Sequence, residues 1–119
     1  MRRLTAPRPA TLALVLTLLL AAGMAAVTLL PLPPGAANLP GSDKTHHIVG
    51  FALLALPMAT AQPRAMLWLG PLLAAYGGAI ELVQPFVGRA REWADWLADA
   101  AGVGLGTLAG LAVRRVWRP

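Results

Sequence analysis

The chain has 119 residues, no cysteine and a formal net charge of +5, with 57% hydrophobic and only 13% charged residues. An ordinary soluble domain carries about 25% charged residues, so the composition argues for the bilayer as solvent. Disulfides, thiolate catalysis and cysteine-based metal sites are excluded. Nucleic-acid binding is not expected either, because the basic residues sit at the ends of apolar runs and form no stripe.

The first apolar run, Ala10 to Leu30, holds 21 residues without a charge, preceded by Arg2, Arg3 and Arg8. A helix needs about 20 such residues to cross the hydrocarbon core. The flank also fits a signal peptide, with Ala25-Ala26 near a cleavage site. The run is longer than the 7–15 residues typical of a signal's apolar region, so a retained anchor is expected.

Pro31-Leu32-Pro33-Pro34-Gly35 and Asn38-Leu39-Pro40-Gly41 then mark a loop, because proline fixes φ and removes donors. Ser42 or Asp43 is a candidate N-cap for the next helix. Ile48 to Ala61 gives 14 residues, too few to span, whereas a start at Asp43 gives 19. The second span is therefore read as 43–61, with Lys44, His46 and His47 inside the helix and Pro57 a candidate kink. Gln62-Pro63-Arg64 is a tight turn. The third span, 65–84, carries Gly70-Pro71, Gly77-Gly78 and Glu81. A connection over 85–91 leads to a fourth span, 92–113, with Asp95 and Asp99 in its first half.

These spans imply an all-α bundle of four transmembrane helices. One side holds Arg2, Arg3, Arg8, Arg64, Arg114, Arg115 and Arg118, and the other Lys44, Arg89 and Arg91. The positive-inside rule then places both termini in the cytoplasm. Trp68 and Trp117 fall near the inner boundary, and Trp93 and Trp96 near the outer one.

Helical spacing puts Asp43, His47, Gly50 and Leu54 on one stripe, and Gly77, Glu81 and Gln84 on another. Glu92, Asp95, Asp99, Gly102, Gly106 and Gly110 share one face of the fourth helix. Ionisable groups in a span cost roughly 2.5–3.5 kcal/mol each on insertion scales. They are expected to face the bundle interior, around a small outward-facing pocket carrying both signs. The Gly102, Gly106, Gly110 pattern is a helix-packing signal, and it could also face a partner protein or a second copy of the chain.

Asp43-Lys44-x-x-His47, followed by Phe51 and Leu54, resembles the DK-x-x-H signature of VanZ-like membrane proteins. The later stretch Glu81-x-x-Gln84, Gly88-Arg89, Asp95, Asp99, Gly102, Gly106 is similar to that family's second pattern, with Asp99 standing where the family usually has Asn. The resemblance covers about Leu30 to Leu111. It implies a small multi-pass protein of a bacterial cytoplasmic membrane. Some members of the family are associated with low-level teicoplanin resistance.

The expected ligand-binding residues are Asp43, Lys44, His47, Glu81, Gln84, Arg89, Asp95 and Asp99. Capping and interhelical ion pairing, Lys44 and Arg89 with the acids of the fourth helix, are the plain alternative roles. Arg89 is a candidate anion clamp, since a guanidinium fork suits a phosphate or carboxylate. Arg91 is read as solvated or interfacial. The first functional expectation is binding, without turnover, of a lipid head group, a lipid-linked envelope precursor or a glycopeptide. The second is a membrane enzyme in which Glu81 or Asp95 serves as acid or base. The third is a structural subunit or homo-oligomer. No cofactor is expected. Glu92, Asp95 and Asp99 with His46 and His47 could ligate a divalent metal, but no HExxH or other metal spacing is present, so no metal is expected.

Overall fold

The computed structural model describes residues 8–30, 43–89 and 91–117, with the side chain of Asp43 outside that set. The Pro- and Gly-rich connection 31–42, Arg2, Arg3 and Arg118 lie outside the described residues. Four helices account for nearly all of the rest: α1 (Pro9–Leu29), α2 (Asp43–Ala61), α3 (Met66–Val83) and α4 (Trp93–Val116). Short 3-10 turns at Pro63–Ala65 and Gln84–Val87 flank α3.

The helix boundaries follow local chemistry. Proline opens α1 at its first position, where a missing N–H costs nothing. Pro63 breaks the chain after α2, and Gly88 ends the turn after α3 in the left-handed region at φ 78°. Its neighbour Arg89 then donates its backbone N–H to the Gln84 carbonyl at 2.9 Å. α2 continues through Pro57, the candidate kink, and α3 runs through Pro71 and the Gly77-Gly78 pair as one helix. α4 continues three residues past the expected Val113, taking Arg114 and Arg115 into its last turn, where cations suit the helix dipole.

The packing is up-down-up-down. Thr17 of α1 donates to the Leu54 carbonyl of α2 at 3.0 Å, while Met24 of α1 reaches Gly50, so α1 and α2 are antiparallel. Gly70 faces Val103 and Gly77 faces Asp99, which makes α3 and α4 antiparallel. α2 and α4 run parallel in a tight seam. A Cβ on Gly102 would meet the Ile48 carbonyl, one on Gly106 the Ala52 backbone, and one on Gly110 the Ala59 side chain. The glycine face of α4 is thus spent on α2 of the same chain.

Three segments are long and apolar enough to cross a membrane: Pro9–Leu29, Pro63–Val87 and Trp93–Val116. α2 has the length, 19 residues, but its first turns carry Lys44, Thr45, His46 and His47. Its interior face is the best buried of the bundle, with Phe51, Leu54, Ala55 and Ala59 nearly inaccessible. The outside of the bundle is apolar, with Leu12, Leu18, Leu19, Leu67, Leu72 and Leu108 all exposed. A surface of this kind fits a lipid environment far better than water.

The two ends of the bundle differ. One carries Arg8, Arg64, Arg114 and Arg115. The other carries Lys44, His47, Glu81, Arg89, Glu92, Asp95 and Asp99. The described ends of the chain share the basic end, where Pro9 and Trp117 line one cleft.

Candidate functional site: a buried polar cluster between three helices

The polar cluster sits where α2, α3 and α4 meet. His47 comes from the second turn of α2, Glu81 from the end of α3, Gln84 from the 3-10 turn that follows it, and Asp95 and Asp99 from the first two turns of α4. All five are buried, with relative exposures of 6%, 0%, 4%, 4% and 0% in that order. The spacing that placed His47, Glu81 and the two aspartates on inward faces is thus realised in three dimensions.

The pairing is direct. His47 Nδ1 lies 2.6 Å from Asp99 Oδ1, and its Nε2 lies 3.6 Å from Asp95 Oδ2. The imidazole therefore stands between two carboxylates of one helix face. Lys44, one turn nearer the end of α2, contacts Glu92 Oε1 at 2.7 Å and Asp95 Oδ1 at 3.7 Å. These contacts form a ladder from the half-exposed rim pair Lys44–Glu92 to the fully buried Asp99.

Glu81 holds the start of α4. Its Oε2 accepts the backbone N–H of Glu92 at 3.0 Å. The first N–H groups of a helix have no intrahelical partner, and the helix dipole favours a carboxylate there. Gln84 completes the arrangement when its amide nitrogen faces Glu81, at 3.2 and 3.1 Å from the two carboxylate oxygens. This orientation gives a donor to a buried carboxylate, so it is preferred over the longer 3.4 Å reach to the Thr28 carbonyl. α3 is bare beside Asp99: a Cβ on Gly77 would lie 2.7 Å from Asp99 Oδ2.

Two arginines trade expected places. Arg89 does not join the acids of α4. It donates to the Leu30 carbonyl at the end of α1 at 2.8 Å. Arg91 is closer to the cluster, donating through Nε to the Glu81 carbonyl at 3.2 Å and through Nη2 to that of Leu82 at 3.3 Å. Its guanidinium also lies over the Trp93 ring, 5.7 Å from the centroid. The charge alone could not identify this role, because it depends on how the turn after Gly88 brings the chain back over α3. Trp96 was read as an interfacial anchor. Its indole N–H also donates to the Ala74 carbonyl at 2.9 Å, beside Gly78, and so ties α4 to α3.

Among the described residues the polar groups of the cluster are packed on one another, and two larger clefts are lined mainly by apolar side chains. One of about 470 Å³ lies between α1 and α3 and is lined by Thr17, Leu18, Leu72 and Tyr76. Another of about 710 Å³ opens at the basic end beside Leu56, Val113 and Trp117. Asp43 opens α2, but its side chain lies outside the described residues.

One grouping is invisible in the linear spacing. His47, Glu81 and Asp99 each offer a ligand atom, and the three atoms lie within 4.8 Å of one another. Set against family models, curated proteins and solved structures, the chain matches none of them.

Proposed function

We propose that the chain is a VanZ-like protein of a bacterial cytoplasmic membrane. In this reading four helices cross the bilayer, both termini are cytoplasmic, and the polar end faces outward and binds the head group of a lipid or lipid-linked envelope precursor. The observation that carries this reading is the convergence of the motif pieces. Lys44 and His47, Glu81 and Gln84, and Asp95 and Asp99 belong to three separate stretches of the sequence, and they meet at one end of the bundle. Buried ionisable groups in a span are expensive, and their retention favours a functional role.

In this reading α2 is the fourth crossing: it runs beside α4 along the glycine seam, its His47 is buried against α4, and the exposed Lys44, Thr45 and His46 lie at its outer end. The basic end is cytoplasmic under the positive-inside rule. Charge suggests the ligand. Glu81, Glu92, Asp95 and Asp99 outnumber Lys44 and His47, so the cluster suits a cationic group such as an amine. Arg89 and Arg91 at the rim each have five donors, which suits a phosphate. A zwitterionic head group satisfies both.

The test is teicoplanin and vancomycin susceptibility of a sensitive Gram-positive host expressing the full chain or Glu81→Gln at matched membrane levels. It is paired with fluorescence titration of the purified protein with phosphatidylethanolamine and phosphatidylglycerol vesicles, for which Trp93 and Trp96 are local reporters. Selective teicoplanin protection lost in Glu81→Gln supports the family-type role. Absence of protection from the wild type removes the resistance reading, and a head-group-independent signal removes the binding reading.

A second reading is favoured by the placement of His47 between Asp95 and Asp99. An imidazole held by carboxylates is a general acid–base arrangement, which would serve an enzyme acting on a lipid-linked envelope substrate. This reading expects product formation by the purified protein, and its loss in Asp95→Asn at normal abundance. No turnover of lipid-linked substrates by the wild type would remove it.

A further inference from the structure

We propose that His47, Glu81 and Asp99 form a binding site for a first-row divalent transition ion. The ion would use acids that the head-group reading gives to a cationic group, so the two would compete for Glu81 and Asp99, and retained metal is read in the absence of added lipid.

Three observations lead to it. The first is convergence: one ligand atom from each of three helices, all buried, within 4.8 Å of one another. Ligands about 2.0–2.2 Å from an ion stand roughly 3.4 Å apart in a tetrahedral site, so the longer edges of the triangle must close and the 2.6 Å His47–Asp99 edge must open, by side-chain torsions. The second is the orientation of the imidazole. Its Nδ1 edge points to Asp99 at 2.6 Å, while Nε2 faces the Asp95 carboxylate at 3.6 Å. A ligating histidine almost always directs its other ring nitrogen to a carboxylate, carbonyl or water, which fixes the tautomer. Asp95 is placed to do this as a positioning residue. The third is charge. Glu81, Asp95 and Asp99 bring three carboxylates into the interior beside one imidazole, with Lys44 only at the half-exposed rim. A divalent cation supplies two compensating charges where burial of anions is most costly.

The donor set narrows the ion. One imidazole and two carboxylates suit Zn²⁺, Mn²⁺ or Fe²⁺, whereas Mg²⁺ and Ca²⁺ favour all-oxygen shells. Without the ion, the short His47–Asp99 contact closes the site. Binding opens that contact, and a proton carried by either ligand leaves to solvent as the metal takes its place.

The test uses the full chain in detergent, stripped with chelator. It is loaded separately with Zn²⁺, Mn²⁺ and Mg²⁺, passed through gel filtration and assayed for retained metal and thermal unfolding. The expected result is about one equivalent of Zn²⁺ or Mn²⁺ per chain, no Mg²⁺, and a raised Tm. Glu81→Gln and Asp99→Asn abolish retention. Asp95→Asn weakens affinity by about 10–100-fold, the usual cost of removing an outer-shell partner. His46→Gln, on the exposed face of α2, leaves retention unchanged. Glu81→Asp keeps the charge and guards against a folding defect, and it retains weaker binding. Failure of monodisperse wild type to hold either ion overturns the proposal. So does equal retention by Glu81→Gln and Asp99→Asn, or loss of retention in His46→Gln alone.

Discussion

The two halves of the α2–α4 seam are built on opposite principles. Toward the basic end, Gly102, Gly106 and Gly110 let two backbones approach until a single added methyl would strike the Ile48 carbonyl, the Ala52 backbone or the Ala59 side chain. Toward the polar end, the same two helices are joined by Lys44–Glu92, His47–Asp99 and His47–Asp95. The glycine half rests on dispersion and close fit, which a lipid-facing helix pair needs because hydrocarbon offers it no hydrophobic drive. The polar half buries charge, which by itself is poor glue. A bundle needing only adhesion could have continued the glycine pattern, so the polar half is where function is sought.

Substitutions can test that contrast. The largest effect is expected from Asp99→Ala. Removing one partner of a buried pair costs about 3–5 kcal/mol, and His47 would be left facing a gap. Thermal unfolding in detergent and the folded fraction on gel filtration check this. A loss below about 1 kcal/mol would show that the cluster contributes little to the fold.

Next comes Gly106→Ala, which overpacks the seam. Inserted methyl groups typically cost about 1–3 kcal/mol, and the rigid Ala52 backbone has little room to yield. The matched control is Gly104→Ala, two residues away, where an added Cβ meets nothing. It is expected to be neutral or to stabilise by up to about 1 kcal/mol, since glycine is the poorer helix former. Equal losses at both positions would refute the seam as drawn.

A smaller effect is expected from Arg114→Ala. This side chain donates to the Thr60 and Ala61 carbonyls at 2.8 and 3.1 Å, closing the end of α2. Its removal should cost about 1 kcal/mol, read as a lower Tm. The smallest is Lys44→Ala, at a rim pair roughly half exposed on both sides. Such pairs give about 0.2–1 kcal/mol, and added salt should shrink the difference further.

These positions also mark how far the sequence could be read. The apolar runs, the proline breaks and the start of α2 at Asp43 were legible, because helix ends depend on local backbone chemistry. So were the inward faces of His47, Glu81, Gln84, Asp95 and Asp99, since a helical repeat fixes direction around an axis. The fate of Arg89 and Arg91 was not. A charge in a connection has no periodicity, and only the turn at Gly88 decides that Arg89 reaches Leu30 while Arg91 returns over Glu81. The continuity of α3 through Gly70-Pro71 and Gly77-Gly78 was also hidden, because α4 packs along that stretch through Val103, Asp99 and Trp96 and supports it against the weak local propensity.

The sequence by itself pointed to an all-helical chain read as four spans, a basic end, an acidic end, and a last helix polar in one half and glycine-rich in the other, and three of the helices are long and apolar enough to cross a membrane. Tertiary structure alone decided that α2 is the parallel partner of both halves, and that His47, Glu81 and Asp99 meet within one small volume. The physical reason is that helical spacing fixes which side of a helix a residue occupies, whereas the neighbour on that side depends on how four helices share one interior.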